Sequence, residues 1–157
     1  MKRLITAAII LSLLIGVGAG NAQQQAEEIL KAVVKVRAKI PESALTAPFL
    51  GTEREGNGIL IDSDGYILTI GYLILESQTV EVVDTNDKVI EAKFIGYDYD
   101  TGFGLIRADK LSDVEPLKIG SSSDLKQGDP ALVVGHKGSE NVVGVRIVRR
   151  GEFVGYW

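Results

Sequence analysis

Apolar and polar side chains alternate with a period of two along much of this chain, and that period predicts short β-strands. Between Ile29 and Ile40, the residues Val34, Val36, Ala38 and Ile40 fall on one face, and Val33, Lys35, Arg37 and Lys39 on the other. Further strand-like segments run over Gly58–Ile61, Tyr66–Ile70, Thr79–Val83, Val89–Tyr97 and Phe103–Arg107. Pro116–Ile119, Ala131–Gly135, Val142–Arg149 and Glu152–Trp157 follow. Asp62-Ser63-Asp64-Gly65 and Asp84-Thr85-Asn86-Asp87 read as tight turns, because Asp and Asn bond their own backbone and Gly accepts left-handed angles. Pro41 to Pro48 carries two prolines and reads as a loop. After the N-terminal segment only Ala26 to Ala32 could begin a helix, which sets aside a helical solenoid or a βαβ fold. The pattern predicts an all-β domain, a barrel or a sandwich.

The N-terminus departs from this pattern. Lys2 and Arg3 precede an almost wholly apolar run from Leu4 to Val17, and Gly18, Ala19, Gly20 and Ala22 follow. A membrane-spanning helix needs ~20 apolar residues, so this shorter run with a small-residue site reads as a secretory signal peptide over residues 1–22, cleaved after Ala22. The domain then occupies 23–157. Removing Lys2 and Arg3 leaves 15 basic against 21 acidic residues, a formal charge of −6. That balance argues against a nucleic-acid partner, and loss of the leader leaves no membrane anchor. The 157 residues suit one domain of ordinary size. The absence of cysteine means that an exported domain is held by its core and not by disulfides, as suits a bacterial periplasm. With no cysteine and one histidine the usual structural zinc sites are excluded, and no cofactor is implied.

The stretch Gly56-Asn57-Gly58-Ile59-Leu60-Ile61-Asp62-Ser63-Asp64-Gly65-Tyr66-Ile67-Leu68-Thr69 resembles the first-barrel signature of the HtrA/Do branch of trypsin-like serine proteases. Four more segments resemble that family in the expected order: Lys88 to Gly96, Asp98 to Ile106, the linker Ile119 to Asp129, and Val133-Val134-Gly135-His136. The resemblance implies a trypsin-like double β-barrel. Its first barrel would lie at about 30–110, with only the opening strands of the second at about 117–157. The apolar run Phe153, Val154, Tyr156 and Trp157 ends without a polar tail, as a fragment of a longer protein would.

Peptide hydrolysis by this family needs a serine nucleophile, a histidine that takes its proton and an aspartate that orients the histidine. The family's T-x-x-H pattern here reads Thr69-Ile70-Gly71-Tyr72, so Tyr72 stands at the histidine position. A phenol, with an ordinary pKa of ~10, is a poor general base at neutral pH. The pattern that carries the aspartate reads Asp98-Tyr99-Asp100-Thr101-Gly102-Phe103-Gly104-Leu105, which puts Gly102 at that position. The serine motif G-x-S-G-G is absent, and no catalytic residue is expected.

Other candidates have simpler readings. His136, the single histidine, reads as a surface-loop residue. Ser121-Ser122-Ser123 before Asp124 reads as a linker and N-cap, Asp62 to Gly65 as a turn that lacks the later ligands of a calcium loop, and Asp100 as a solvated turn carboxylate. Lys137, Arg146, Arg149 and Arg150 read as a solvated strand face. The functional expectation is an exported, non-catalytic protease homologue, periplasmic or secreted, that binds a protein or peptide, with an active relative as one candidate partner. The alternatives are an active serine endopeptidase whose serine lies beyond Trp157, and a β-barrel ligand carrier.

Overall fold

The computed structural model describes residues 27–109, 111, 114–137 and 140–151. The expected leader and the C-terminal apolar run lie outside them. Strand β1 (Val33–Lys39) pairs antiparallel with β2 (Glu53–Leu60) on one side and β4 (Thr79–Val83) on the other. Strand β2 pairs with β3 (Tyr66–Ile70) and β3 with β6 (Phe103–Arg107). Strand β5 (Val89–Tyr97) bridges β6 and β4, so six strands close in the order β1-β2-β3-β6-β5-β4. Closure leaves no free strand edge in this unit.

The alternation along β1 becomes inside and outside. Val34, Val36 and Ala38 are buried while Lys35, Arg37 and Lys39 face outward, where Arg37 and Lys35 both reach Glu55 on β2, at 2.9 and 3.5 Å. Leu60, Ile67, Val82 and Ile106 complete a fully buried centre. A six-stranded barrel is narrow, and the glycines of the Gly56-Asn57-Gly58 motif are inward-facing positions that must stay small. A β-carbon at Gly58 would lie 2.6 Å from Ile67 Cγ2 and 2.8 Å from Val36 Cγ2. One at Gly56 would overlap Leu73.

The two turns form as their composition predicts. Asp62 Oδ1 accepts from the amides of Asp64 and Tyr66, and Asp84 Oδ1 from those of Asn86 and Lys88. Gly65, at φ +87°, brings its backbone against Ala108. Several expected elements differ. Strand β2 starts at Glu53, five residues before the expected Gly58, and Ala47–Leu50 form a short helix at the end of the expected loop. Residues 27–31 are helical, with Lys31 paired to Glu28 at 2.6 Å one turn away, so the first strand starts at Val33 and not at Ile29. Residues 116–119 form no regular strand; the Leu117 amide only extends the end of β2 through a 2.9 Å bond to the Leu60 carbonyl. The last described strand stops at Arg146, after which the Ile147 amide bonds the Asp129 carbonyl.

Strands β7 (Pro130–Val134) and β8 (Val142–Arg146) form a separate antiparallel pair. None of their residues is fully buried: Leu132 is 66% and Val143 60% exposed. The first barrel is thus closed and, among the described residues, the second is represented by one hairpin, as the resemblance implies. Stability therefore concentrates in the barrel. Ile106→Ala is expected to lower the unfolding free energy by about 3 kcal/mol, the usual cost of truncating a fully buried aliphatic side chain, whereas Leu132→Ala should change it by less than ~0.5 kcal/mol. Urea denaturation followed by far-UV circular dichroism measures both.

Candidate functional site

A single helical turn, Gly71–Ile74, follows β3 and closes one end of the barrel. Leu73 and Ile74 point into the core and are buried, which turns Tyr72 outward, 49% exposed. Gly71 and Gly102 are adjacent in space: the Gly71 amide donates to the Gly102 carbonyl at 2.7 Å. The fold thus brings together the two positions at which the family pattern places histidine and aspartate, 72 and 102.

The backbone between them is held in a closed turn. Gly102 sits at φ +72°, where residues with a β-carbon are strained. It closes a turn in which the Gly102 amide bonds the Asp98 carbonyl at 2.8 Å and the Asp98 amide bonds the Phe103 carbonyl at 2.9 Å. Asp98 accepts from the Thr101 hydroxyl at 2.6 Å and the Asp100 amide at 3.0 Å. These bonds, the hydroxyl first, hold its carboxyl below the usual range. The Asp100 carboxylate is exposed and has no partner among the described residues, as expected of a turn carboxylate. The turn also sets Tyr97, whose ring lies so close over Gly71 that any β-carbon there would overlap it.

Behind Tyr72 stands a charged clamp that the pattern of motifs does not announce. Arg54 on β2 is 5% exposed and spends its donors on four acceptors. These are the carbonyls of Tyr72 at 2.6 Å, Leu75 at 3.2 Å and Gly51 at 3.2 Å, and the Thr46 hydroxyl at 2.7 Å. Glu76, at φ +61°, then accepts from the amides of Leu45 and Thr46 and from the Thr46 hydroxyl. Burial lowers the Arg54 pKa and the Glu76 charge opposes that; the guanidinium stays protonated at neutral pH. The Thr46 bonds lower the Glu76 pKa. One guanidinium thereby ties the 41–52 loop to the Tyr72 turn. Its signal in the sequence is phase: Arg54 falls on the same alternation as Gly56, Gly58 and Leu60, so a charge stands where β2 faces inward.

His136 corrects the expectation of a surface-loop histidine. It is only 8% exposed, its Nε2 lies 2.9 Å from the Asp84 carbonyl and its amide donates to Asn57 Oδ1 at 2.9 Å. With Lys137 paired to Asp87 at 3.1 Å, it fastens the β7–β8 hairpin to the barrel. The basic residues also do not form one face: Arg146 bonds the Gly128 carbonyl and Arg150 those of Ser123 and Leu125. Ser121 caps the short turn Ser122–Asp124 through the Ser123 amide, as expected. Among the described residues no group of three or more His, Cys, Asp or Glu is placed to hold a metal.

A barrel of this order, closed by a one-turn helix at the end of its third strand, is the first half of a trypsin-like architecture. Residues 56–157 match the family described as "Trypsin-like peptidase domain", and the chain belongs to that family. Within it the chain is similar to HtrA-type proteases. It is 30% identical over 130 residues to "Periplasmic pH-dependent serine endoprotease DegQ" of Escherichia coli (strain K12), covering 70% of this chain and 28% of the relative. It is 33% identical over 89 residues to "Probable periplasmic serine endoprotease DegP-like" of Pseudomonas fulva (strain 12-X), covering 54% of this chain and 18% of the relative. The solved "HtrA-type protease AlgW with tripeptide" shares the fold with a TM-score of 0.66 at 18% identity, over 82% of this chain and 40% of that one. The chain thus spans well under half the length of these relatives.

The clamp predicts an acid-sensitive loop. Because the folded Glu76 pKa is depressed, its contribution is present above the unfolded value of about 4.3 and is lost as pH falls through the folded value. Glu76→Gln should therefore flatten the fall in stability below about pH 5, and speed hydrogen exchange of the Leu45 and Thr46 amides at pH 7. An unchanged acid limb together with unchanged exchange at those two amides would refute the role.

Proposed function

We propose that this chain is a non-catalytic HtrA-type homologue that acts in the periplasm as a binding module for a protein or peptide. The observation that carries the reading is the backbone at position 102: a glycine at φ +72° in a closed turn, facing Tyr72 across the Gly71–Gly102 bond. A glycine there supplies no carboxylate to orient a base, and an aspartate would have to take the left-handed conformation that Asp87 takes at φ +61° in another turn. Tyr97 over Gly71 leaves no room for a β-carbon at position 71.

Periplasmic action is supported by the relatives, which are named periplasmic endoproteases, and by the basic and apolar residues of 1–22, proposed as a cleaved leader. The general base and its orienting carboxylate act as a unit, and loss of either reduces rate by orders of magnitude. Incubation of the protein with unfolded casein and with a fluorophosphonate probe should give no cleavage above the blank and no labelling. The double variant Tyr72→His with Gly102→Asp should remain silent in both assays, because no G-x-S-G-G motif stands in this sequence and the restored pair would have no nucleophile to activate. Casein cleavage or probe labelling by the unmodified protein would overturn the proposal.

A further inference from the structure

Of the two sheets among the described residues, the barrel is closed and the β7–β8 hairpin alone has strand edges and faces without a partner. Its register sets Val133 opposite Val143 and Ala131 opposite Val145, and directly opposed side chains stand on one face. That face is an alanine and three valines, with Val133 59%, Val143 60% and Val145 36% exposed, and it carries no charge. The other face is mixed, with Leu132 and Arg146 both on it. The hairpin is fixed at both ends. At its turn His136 and Lys137 hold it to the barrel. At its open end the Gly128 amide bonds the Ile147 carbonyl at 2.8 Å, and Arg150 ties the outgoing chain to the carbonyls of Ser123 and Leu125 at 3.1 and 3.4 Å. The chain thus reaches Gly151 from the open end of a firmly held apolar face.

We propose that the Ala131–Val133–Val143–Val145 face is the docking site of this chain's own segment Glu152–Trp157, which lies outside the described residues. The segment carries Phe153, Val154, Tyr156 and Trp157 and a single charge, Glu152, and the family match extends through it to residue 157. Its charge falls where the surroundings suit it: Arg149 and Arg150 line an open cleft with Ser122 and Gly151, and Glu152 follows Gly151 directly. Six extended residues span up to ~20 Å, and the five-residue strands of the hairpin run ~17 Å, so the segment is long enough to return along the whole face. In an extended segment Phe153, Gly155 and Trp157 fall on one side. Two rings flanking a glycine bury a large apolar area against short branched side chains. A second copy or a separate protein would have to compete with a segment tethered at high local concentration. The inference does not depend on whether the protein is catalytic.

Trp157 is the single tryptophan, so its fluorescence reports the segment directly. In the unmodified protein its emission is expected to lie to the blue of N-acetyltryptophanamide, with slower quenching by acrylamide. Val143→Asp sets an unpaired charge in the face and should move the emission to the red and raise quenching at least ~2-fold. Leu132→Asp, on the opposite face, should leave both unchanged. Neither residue belongs to the barrel core, and far-UV circular dichroism checks that both variants keep the fold. Blue emission that persists through ~100-fold dilution, with a monomeric mass in sedimentation, supports the proposal. It is overturned if Trp157 of the unmodified protein is quenched as fast as the free amide, if Leu132→Asp and Val143→Asp act alike, or if dilution alone moves the emission to the red, the mark of a second copy on the face.

Discussion

A closed six-stranded barrel has an interior too narrow for a large side chain at every inward position, and the other features of this molecule answer to that limit. Where β2 faces inward it carries Arg54, Gly56, Gly58 and Leu60. The two glycines make room for Leu73, Ile67 and Val36, and Leu60 fills the centre. Because Leu73 and Ile74 are drawn into the space so left, the one-turn helix that carries them is seated on the end of the barrel and Tyr72 must point out. The position of the candidate site is thus a consequence of packing inside the barrel.

Polar groups then fix what the core leaves free. Asp62, Asp84 and Asp98 each bond the amide two residues on, so three connections are shaped by the same short-range device. Arg54 works over a longer distance: it satisfies the carbonyls at the end of the Tyr72 turn, which a helix this short leaves without partners. A buried guanidinium with four acceptors is tolerable only while all of them are present. That condition couples the 41–52 segment to the helix turn. Phe49 and Leu45, 86% and 84% exposed, are held out by this arrangement.

How much of this was legible depended on the range of the interaction. The strands Tyr66–Ile70, Thr79–Val83, Val89–Tyr97 and Phe103–Arg107 have the bounds their alternation and turn residues predict, since both signals are local. Alternation alone carries β1 back to Ile29 because Ile29 and Ala32 fit either period, and the Glu28–Lys31 pair favours the helical one. His136 was misplaced for a different reason: its burial comes from Asn57 and Asp84, residues 79 and 52 positions away, and nothing next to it in sequence signals them. The positions of Tyr72 and Gly102 could be read by resemblance, but the left-handed angle at Gly102 and the ring of Tyr97 over Gly71 could not.

The last point bears on how far the residues at these two positions are independent of the fold. Neither Tyr72 nor Gly102 contributes a side chain to the barrel core, so substitution there leaves the packing of Ile67, Ile74 and Ile106 unaffected. The residues between them are not free in the same way. The Asp98–Gly102 bond closes the turn, the Gly71 amide is held by the Gly102 carbonyl, and the ring of Tyr97 leaves no room for a β-carbon at position 71. The side chain at 72 can therefore change without cost to the core, whereas a change at 71 must displace an aromatic ring.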